Sequence, residues 1–328
     1  MNELWKSAKA QGRLATIAAT ALLGLAAVSP AAAQDYPSES LDMTVAFAPG
    51  GGNDVMSRGI AEILQKYDLY PENIEINNRV GGSGAVGWGY LYTQTGSAYD
   101  ISTTSGSLFT TPLQADTPWT VDDFTPIALL AADDLALTVL GSSRWNTVEE
   151  FIAEAKEKPP VIAGTGTVNV DFIVIALFAE KAGFEFEYVP FNSYPDSQTA
   201  LLSGAVDALL GNPGEIIGMV DSKDMRALAY SGPVVPPEME GVPTMADLGF
   251  DPGISMPRGL IMAPDAPQEA VDWWIKTMQF IVTTPEWKEY ISTNLLTEYT
   301  LFGDDFATFL EKKNVSFAET LRSRGFVK

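Results

Sequence analysis

The sequence predicts an α/β protein of two domains whose sheets are largely parallel. Three observations carry that reading. From residue 38 onward, short apolar runs alternate with amphipathic stretches of helical period. The first three apolar runs each end in a loop rich in glycine or serine, and parallel sheets bind ligands at the carboxyl ends of their strands. The chain is 328 residues long and 46% hydrophobic, enough to build two packed cores.

Residues 43–58 read MTVAFAPGGGNDVMSR. The apolar run 43–48 has the length of a buried strand, and Pro49 stops it. Gly50, Gly51 and Gly52 follow, then Asn53 and Asp54. After them Met56, Ile60, Ile63, Leu64 and Tyr67 form an apolar stripe at helical spacing. Strand, glycine turn and capped helix start thus succeed one another. The glycines withdraw every Cβ that would keep a ligand off the backbone. The helix start offers N–H groups with partial positive charge, so the turn is an anion-sized site made of main chain. Arg58, four residues past Asp54, is placed for an intrahelical ion pair.

Residues 72–77 read as the second strand, which leads through Gly81-Gly82-Ser83-Gly84 into a helix over 85–94. Trp88, Tyr90 and Tyr92 are spaced by two, which splits them between faces, one for the core and one toward the cleft. Residues 100–104 form the third strand, closed by Ser105-Gly106-Ser107. Two apolar runs over 124–140 are broken by Asp133-Asp134, where the chain crosses to its second domain.

There a helix over 147–158 opens on Thr147 and Glu150, a capping-box pair. A strand at 161–163 closes in Gly164-Thr165-Gly166-Thr167, and the next helix carries Val170, Ile173, Val174, Leu177 and Phe178 on one face. Strands at 186–191, 207–210 and 225–230, with helices at 195–203 and from 214, complete that domain. The proline-rich stretch 231–243 is the return linker. A strand at 259–262 and helices at 268–283, 285–295 and 304–324 finish the first domain, with Pro285 at a first helical position. The domains are therefore 34–135 with 236–328, and 136–235. Two crossings join them as a hinge, and clefts at such hinges are favoured ligand sites.

Composition excludes several chemistries. There is no cysteine and no histidine, so thiolate nucleophiles, disulfides, histidine metal sites and Ser-His-Asp catalysis are absent. The net charge of −22 argues against nucleic acid and anionic membrane surfaces as partners. Residues 1–33 carry Lys6, Lys9 and Arg13, an apolar run over 14–28 and the small residues Ala31-Ala32-Ala33. That is the pattern of a secretory signal peptide cleaved before Gln34.

Gly82 to Gly87 spells GSGAVG, a literal dinucleotide fingerprint. The following strand ends in Thr103-Thr104 with no acidic residue to grip a ribose, so a small anion at the helix start is the better reading and no cofactor is expected. Four loops rich in glycine and hydroxyls, three from one domain and one from the other, should face each other across the cleft. Asn192, in Phe191-Asn192-Ser193-Tyr194, and Asn212, in Gly211-Asn212-Pro213-Gly214, end later strands and stand as outer wall residues. Asp54 and Asp171 could be taken for an acid/base pair, since glycosidases use two carboxylates, yet each sits at a helix start, where aspartate caps.

Several stretches, taken together, resemble the substrate-binding proteins of tripartite tricarboxylate transporters, the Bug family. They are FAPGGGNDVMSR (47–58), NRVGGSGAVG (78–87), FTPIALL (124–130), GTGT (164–167), YVPFNSYPDSQTALLSGAVDALLG (188–211), VPTMADLGF (242–250) and RGLIMAP (258–264). The resemblance covers nearly all of the chain after residue 33. It implies a two-domain periplasmic binding fold of type II, the Venus-flytrap form, with two interdomain crossover strands. It also implies a receptor, not an enzyme, that holds a carboxylate between its domains and delivers it to a permease of one large and one small membrane subunit; monomer is the default expectation for such a shuttle. The ligand-holding positions it implies are Gly51, Gly52, Asn53, Asp54, Ser83 and Gly84, with Thr165, Gly166 and Thr167 closing from the other side. Ser105 and Ser107 join them from the third-strand loop. Asn53 stands where the family commonly has threonine or serine, Val80 where it often has proline, and FNSYPDS lacks the usual lysine-glycine pair. On this reading helix N-termini hold the carboxylate without a buried arginine. The competing readings are a secreted hydrolase using cleft carboxylates and a ligand-sensing module of a membrane sensor.

Overall fold

The structure is a computed structural model. It describes residues 36–167, 169–232, 235–250 and 256–323, so the signal-peptide expectation for 1–33 lies outside the described residues. Residues Pro37–Lys328 form one compact unit.

Two mixed sheets organise that unit. The first contains β1 (Leu41–Val45), β2 (Ile74–Asn78), β3 (Asp100–Thr103), β4 (Thr125–Asp133), β10 (Met256–Met262) and β11 (Thr297–Phe302), in the order β11-β4-β10-β3-β1-β2. The second contains β5 (Ala136–Leu140), β6 (Val161–Thr165), β7 (Glu187–Phe191), β8 (Ala208–Gly211) and β9 (Met225–Tyr230), in the order β7-β6-β8-β5-β9. The chain passes from the first sheet to the second between Asp133 and Ala136, and it returns between Tyr230 and Met256.

The expectation of largely parallel sheets is corrected. β1 pairs in parallel with β2 and β3, and β6 with β7 and β8, but every other pairing is antiparallel. The cause is the crossing itself. β5 arrives from the other sheet and inserts antiparallel to β8 and β9, and β10 returns antiparallel between β3 and β4. The strand β11 was not anticipated; its residues are mostly exposed and carry no buried apolar alternation to read.

Helices begin where the local chemistry says they should. In α1 (Gly52–Lys66), Met56, Ile60, Ile63 and Leu64 are buried, as the stripe requires. Further along are α2 (Ala85–Thr93), the short α3 (Ser107–Thr110) and α4 (Val148–Ala155). The Thr147 hydroxyl caps α4 by accepting from the Glu150 N–H. The Glu150 carboxylate in turn accepts from the Asn146 N–H at 2.6 Å and draws on the Thr147 backbone. The Asn169 side chain caps α5 (Val170–Ala182), which ends on Gly183 in the left-handed region. Ser193 caps α6 (Tyr194–Leu202), and α7 (Pro213–Asp221) opens on proline. The last three helices are α8 (Gln268–Ile281), α9 (Pro285–Thr293), capped by Thr284, and α10 (Asp304–Ser323).

One apolar cluster runs from Trp88, Phe109 and Trp119 beside the first sheet to Val170, Phe178 and Leu210 of the second. The two lobes therefore meet through apolar contact as well as through polar groups. Burying Trp88 and Phe109 completely contributes on the order of 2–3 kcal/mol each. Trp88 is thus core. Tyr90 lies under the Arg79 guanidinium, 3.6 Å from its ring centroid, and none of the three aromatics of that helix reaches the cavity described next.

Candidate functional site

The turn after β1 places Gly51, Gly52 and Asn53 at the mouth of the first lobe, and Ser105 follows β3 beside them. Facing them from the second lobe are Thr165 at the end of β6, Asn169 and Asp171 at the start of α5, and Asn212 and Glu215 around the start of α7. Phe47, Tyr194, Leu210 and Met256 supply apolar wall. These groups enclose a cavity of about 40 Å³. The carboxyl ends of strands from both sheets thus converge, as the sequence pattern required.

Arg258 of β10 is the base of this cavity, and it is 4% exposed. Its Nε donates to Asp133 Oδ2 at 2.8 Å, and its Nη2 donates to the same oxygen. Nη1 donates to Asn53 Oδ1 at 2.8 Å, while Nη2 also lies 3.5 Å from Asn212 Oδ1. One side chain therefore ties the crossing point, the first turn of α1 and the second lobe together. Glycine at position 52 is what lets it pass: a Cβ there would lie 2.2 Å from Arg258 Nη2. The buried guanidinium corrects the expectation of a site without arginine. Its only sequence signal was a cation inside the otherwise apolar run MPRGLIM, just ahead of the strand expected at 259–262.

Two further carboxyls line the cavity. Asp171 is 2% exposed; its Oδ2 accepts from the Thr165 N–H at 2.7 Å and from Thr165 Oγ1 at 2.8 Å. Burial raises its pKa to about 6, against the pull of those Thr165 bonds. Glu215 Oε1 accepts from the Gly52 N–H at 3.1 Å, so a second-lobe carboxyl sits on the start of the first-lobe helix. Burial pushes Glu215 up to about 8, opposed by the Arg258 charge and reinforced by Asp133 and Asp171. Glu215 was read only as part of a helix start, where carboxylates are common.

The remaining expected residues fall in three groups. Gly51, Gly52, Asn53, Ser105, Thr165 and Asn212 line the cavity. Ser83, Ser107, Gly166 and Thr167 lie where the lobes touch, with Gly84 next to Ser83. Ser83 Oγ accepts from the Thr167 N–H at 2.7 Å and donates to Thr167 Oγ1 at 3.3 Å, while a Cβ on Gly166 would come 3.2 Å from Ser83 Oγ and 3.3 Å from Ser107 Oγ. Gly84 is buried against Trp88. Ser83 itself has φ 53°, a left-handed conformation between Gly82 and Gly84, both also at positive φ. Only this glycine-flanked run aims the hydroxyl across the cleft.

Asp54 and Asn192 fall outside. Asp54 accepts from the Gly50 N–H at 2.9 Å and from Asn78, and it forms the expected ion pair with Arg58. These three partners hold its pKa down despite burial. Asn192 lines a separate open groove with Asp196 and Thr199.

The fold and the paired-lobe cavity define a two-domain periplasmic solute-binding protein. A family model for the tripartite tricarboxylate transporter family receptor, TctC, matches residues 56–324. This chain belongs to that family. It is 27% identical over 250 residues to Protein BugT of Bordetella pertussis, covering 74% of this chain and 76% of BugT. A TctC solute-binding protein from Polaromonas, solved with no ligand, is 27% identical, with a TM-score of 0.66 over 88% of this chain and 99% of that one. An R. palustris protein solved with adipate shares the fold at 20% identity, with a TM-score of 0.80 over 89% of this chain and 99% of its own. Family members and structural neighbours are solute-binding receptors of the periplasm.

Proposed function

We propose that this chain captures a small carboxylate between its lobes in the periplasm and delivers it to a permease of one large and one small membrane subunit. In this reading residues 34–135 with 236–328 form the first domain, 136–235 the second, and 1–33 direct export. The observation that carries it is Arg258. A buried guanidinium linked to Asn53 and Asn212 stands at the base of a cavity shared by both lobes. A ligand carboxylate between Arg258, the Gly51–Asn53 turn and Ser105 on one side, and Thr165 and Asn212 on the other, would draw the lobes together. The adipate bound to a fold relative supports the same ligand class.

A hydrolase built on cleft carboxylates is the second reading. Asp54 cannot serve it, because it is spent on Arg58, Asn78 and Gly50. Asp171 and Glu215 do share the cavity, so the test must follow the fate of the ligand. A thermal-shift screen of the purified protein against mono-, di- and tricarboxylates is expected to yield at least one stabilising acid. Mass spectrometry should then recover that acid unchanged. A consumed ligand would establish the hydrolase instead, and no stabilising carboxylate would remove the receptor reading.

A further inference from the structure

The cavity holds more acid than a plain carboxylate ligand needs. Its one lining cation among the described residues, Arg258, is already paired with Asp133. Asp171 and Glu215 remain as lining groups that form no ion pair among the described residues, though the Arg258 charge acts on both. Asp171 is held rigidly. Its Oδ2 is fixed by two bonds from Thr165, and a buried carboxylate with one oxygen so anchored presents the other in a set direction. That other oxygen, Oδ1, is buried and has no hydrogen-bond partner in any other described residue; the carboxyl otherwise draws only on its own backbone N–H. A native fold seldom leaves a buried carboxylate oxygen unpaired unless something arrives to pair with it.

We infer that the captured solute carries an ammonium group beside its carboxylate, received by Asp171 Oδ1, so that the ligand class is an amino acid. The inference rests on the receptor reading above and narrows it. The carboxylate end goes to the Arg258 side of the cavity, where the donors are. The ammonium end goes to the α5 side, where the acceptor is. A dicarboxylate entering the same space would bring a second negative charge toward Asp171 and Glu215, in a region where burial weakens screening. A hydroxyl could donate to Oδ1 as well, but it would leave the charge of Asp171 unbalanced. Burial raises the pKa values of both Asp171 and Glu215, and the Arg258 charge offsets this only in part.

Matched acids separate these possibilities by calorimetric titration of the purified protein at pH 8. Three sets share a skeleton within each: succinate, malate and aspartate; glutarate, 2-hydroxyglutarate and glutamate; and 3-phenylpropionate, 3-phenyllactate and phenylalanine. In whichever skeleton binds tightest, the amino member is expected to bind at least tenfold tighter than both others. Asp171→Asn should bring that preference to threefold or less, with far-ultraviolet circular dichroism confirming the fold of the variant. A hydroxy or unsubstituted acid that binds as tightly as its amino counterpart overturns the inference and leaves the receptor reading standing. An amino preference that survives in Asp171→Asn overturns the role given to Asp171. No binding by any of these nine acids overturns this inference, while the receptor reading stands or falls on the wider carboxylate screen.

Discussion

Replacing Gly106 with alanine should weaken solute binding without harming either lobe. Gly106 follows β3 with φ −58° and ψ −29°, a helical conformation that alanine accepts and even favours by up to ~1 kcal/mol. The added Cβ, however, would lie 2.2 Å from Val170 Cγ2 and 2.8 Å from Asn169 Oδ1, the first residue of α5 and its cap in the opposite lobe. Carbon atoms rest at about 3.5–4.0 Å, so the lobes must part there by roughly 1.5 Å. Overpacking of this kind costs about 1–3 kcal/mol, and here the cost falls on the closed form alone. If ligand binding is coupled to closure, affinity should fall about 5- to 150-fold. Titration calorimetry with the tightest carboxylate from the screen measures the loss, and small-angle scattering should show the liganded variant more extended than wild type. Adding Val170→Ala removes Cγ2 and should recover part of the affinity. An affinity within twofold of wild type, with unchanged scattering, would refute the coupling of closure to binding.

Other outcomes follow from the same contacts. Arg258→Met leaves Asp133 buried without its cation and should destabilise the protein by about 3–5 kcal/mol in urea unfolding, with loss of binding. Ser83→Ala removes an interlobe bond at a partly exposed position, so affinity should drop by about 0.5–1.5 kcal/mol, less than for Gly106→Ala. Burial lifts the folded-state pKa of Asp171 from 3.8 to about 6 and of Glu215 from 4.5 to about 8. Between those values the folded chain binds more protons than the unfolded one, so stability of the ligand-free protein should decline as pH rises from about 4 to about 8. Glu215→Gln should flatten the upper part of that decline in melting curves, and an unaltered slope would show that Glu215 is not held protonated by the fold.

Much of the fold was legible because local chemistry and tertiary packing agree. The stripe Met56-Ile60-Ile63-Leu64 is buried in α1, and Thr147 and Pro285 mark helix starts where they should. Strand direction was not legible. Apolar runs such as 136–140 and 256–262 look alike in parallel and antiparallel sheets, and only the path of the crossings decides. The cavity was half legible for a similar reason. Gly51, Gly52, Asn53, Ser105 and Thr165 lie on loops whose glycines and hydroxyls announce an anion site. Arg258, Asp171 and Glu215 lie inside a strand or the first turn of a helix, where a charge reads as an isolated exception or a cap. Their meaning comes from residues far off in sequence: Arg258 from Asp133 and Asn53, Glu215 from Gly52. Ser83, expected to hold ligand at the cleft, instead accepts from Thr167 of the opposite lobe.

A crystal structure of the protein with the carboxylate that stabilises it most tests the central claim directly. The ligand carboxylate should lie within hydrogen-bonding distance of the Arg258 guanidinium or the Gly52 and Asn53 N–H groups, with groups of both lobes around it. A ligand bound to one lobe only, or away from the Arg258 cavity, would contradict it.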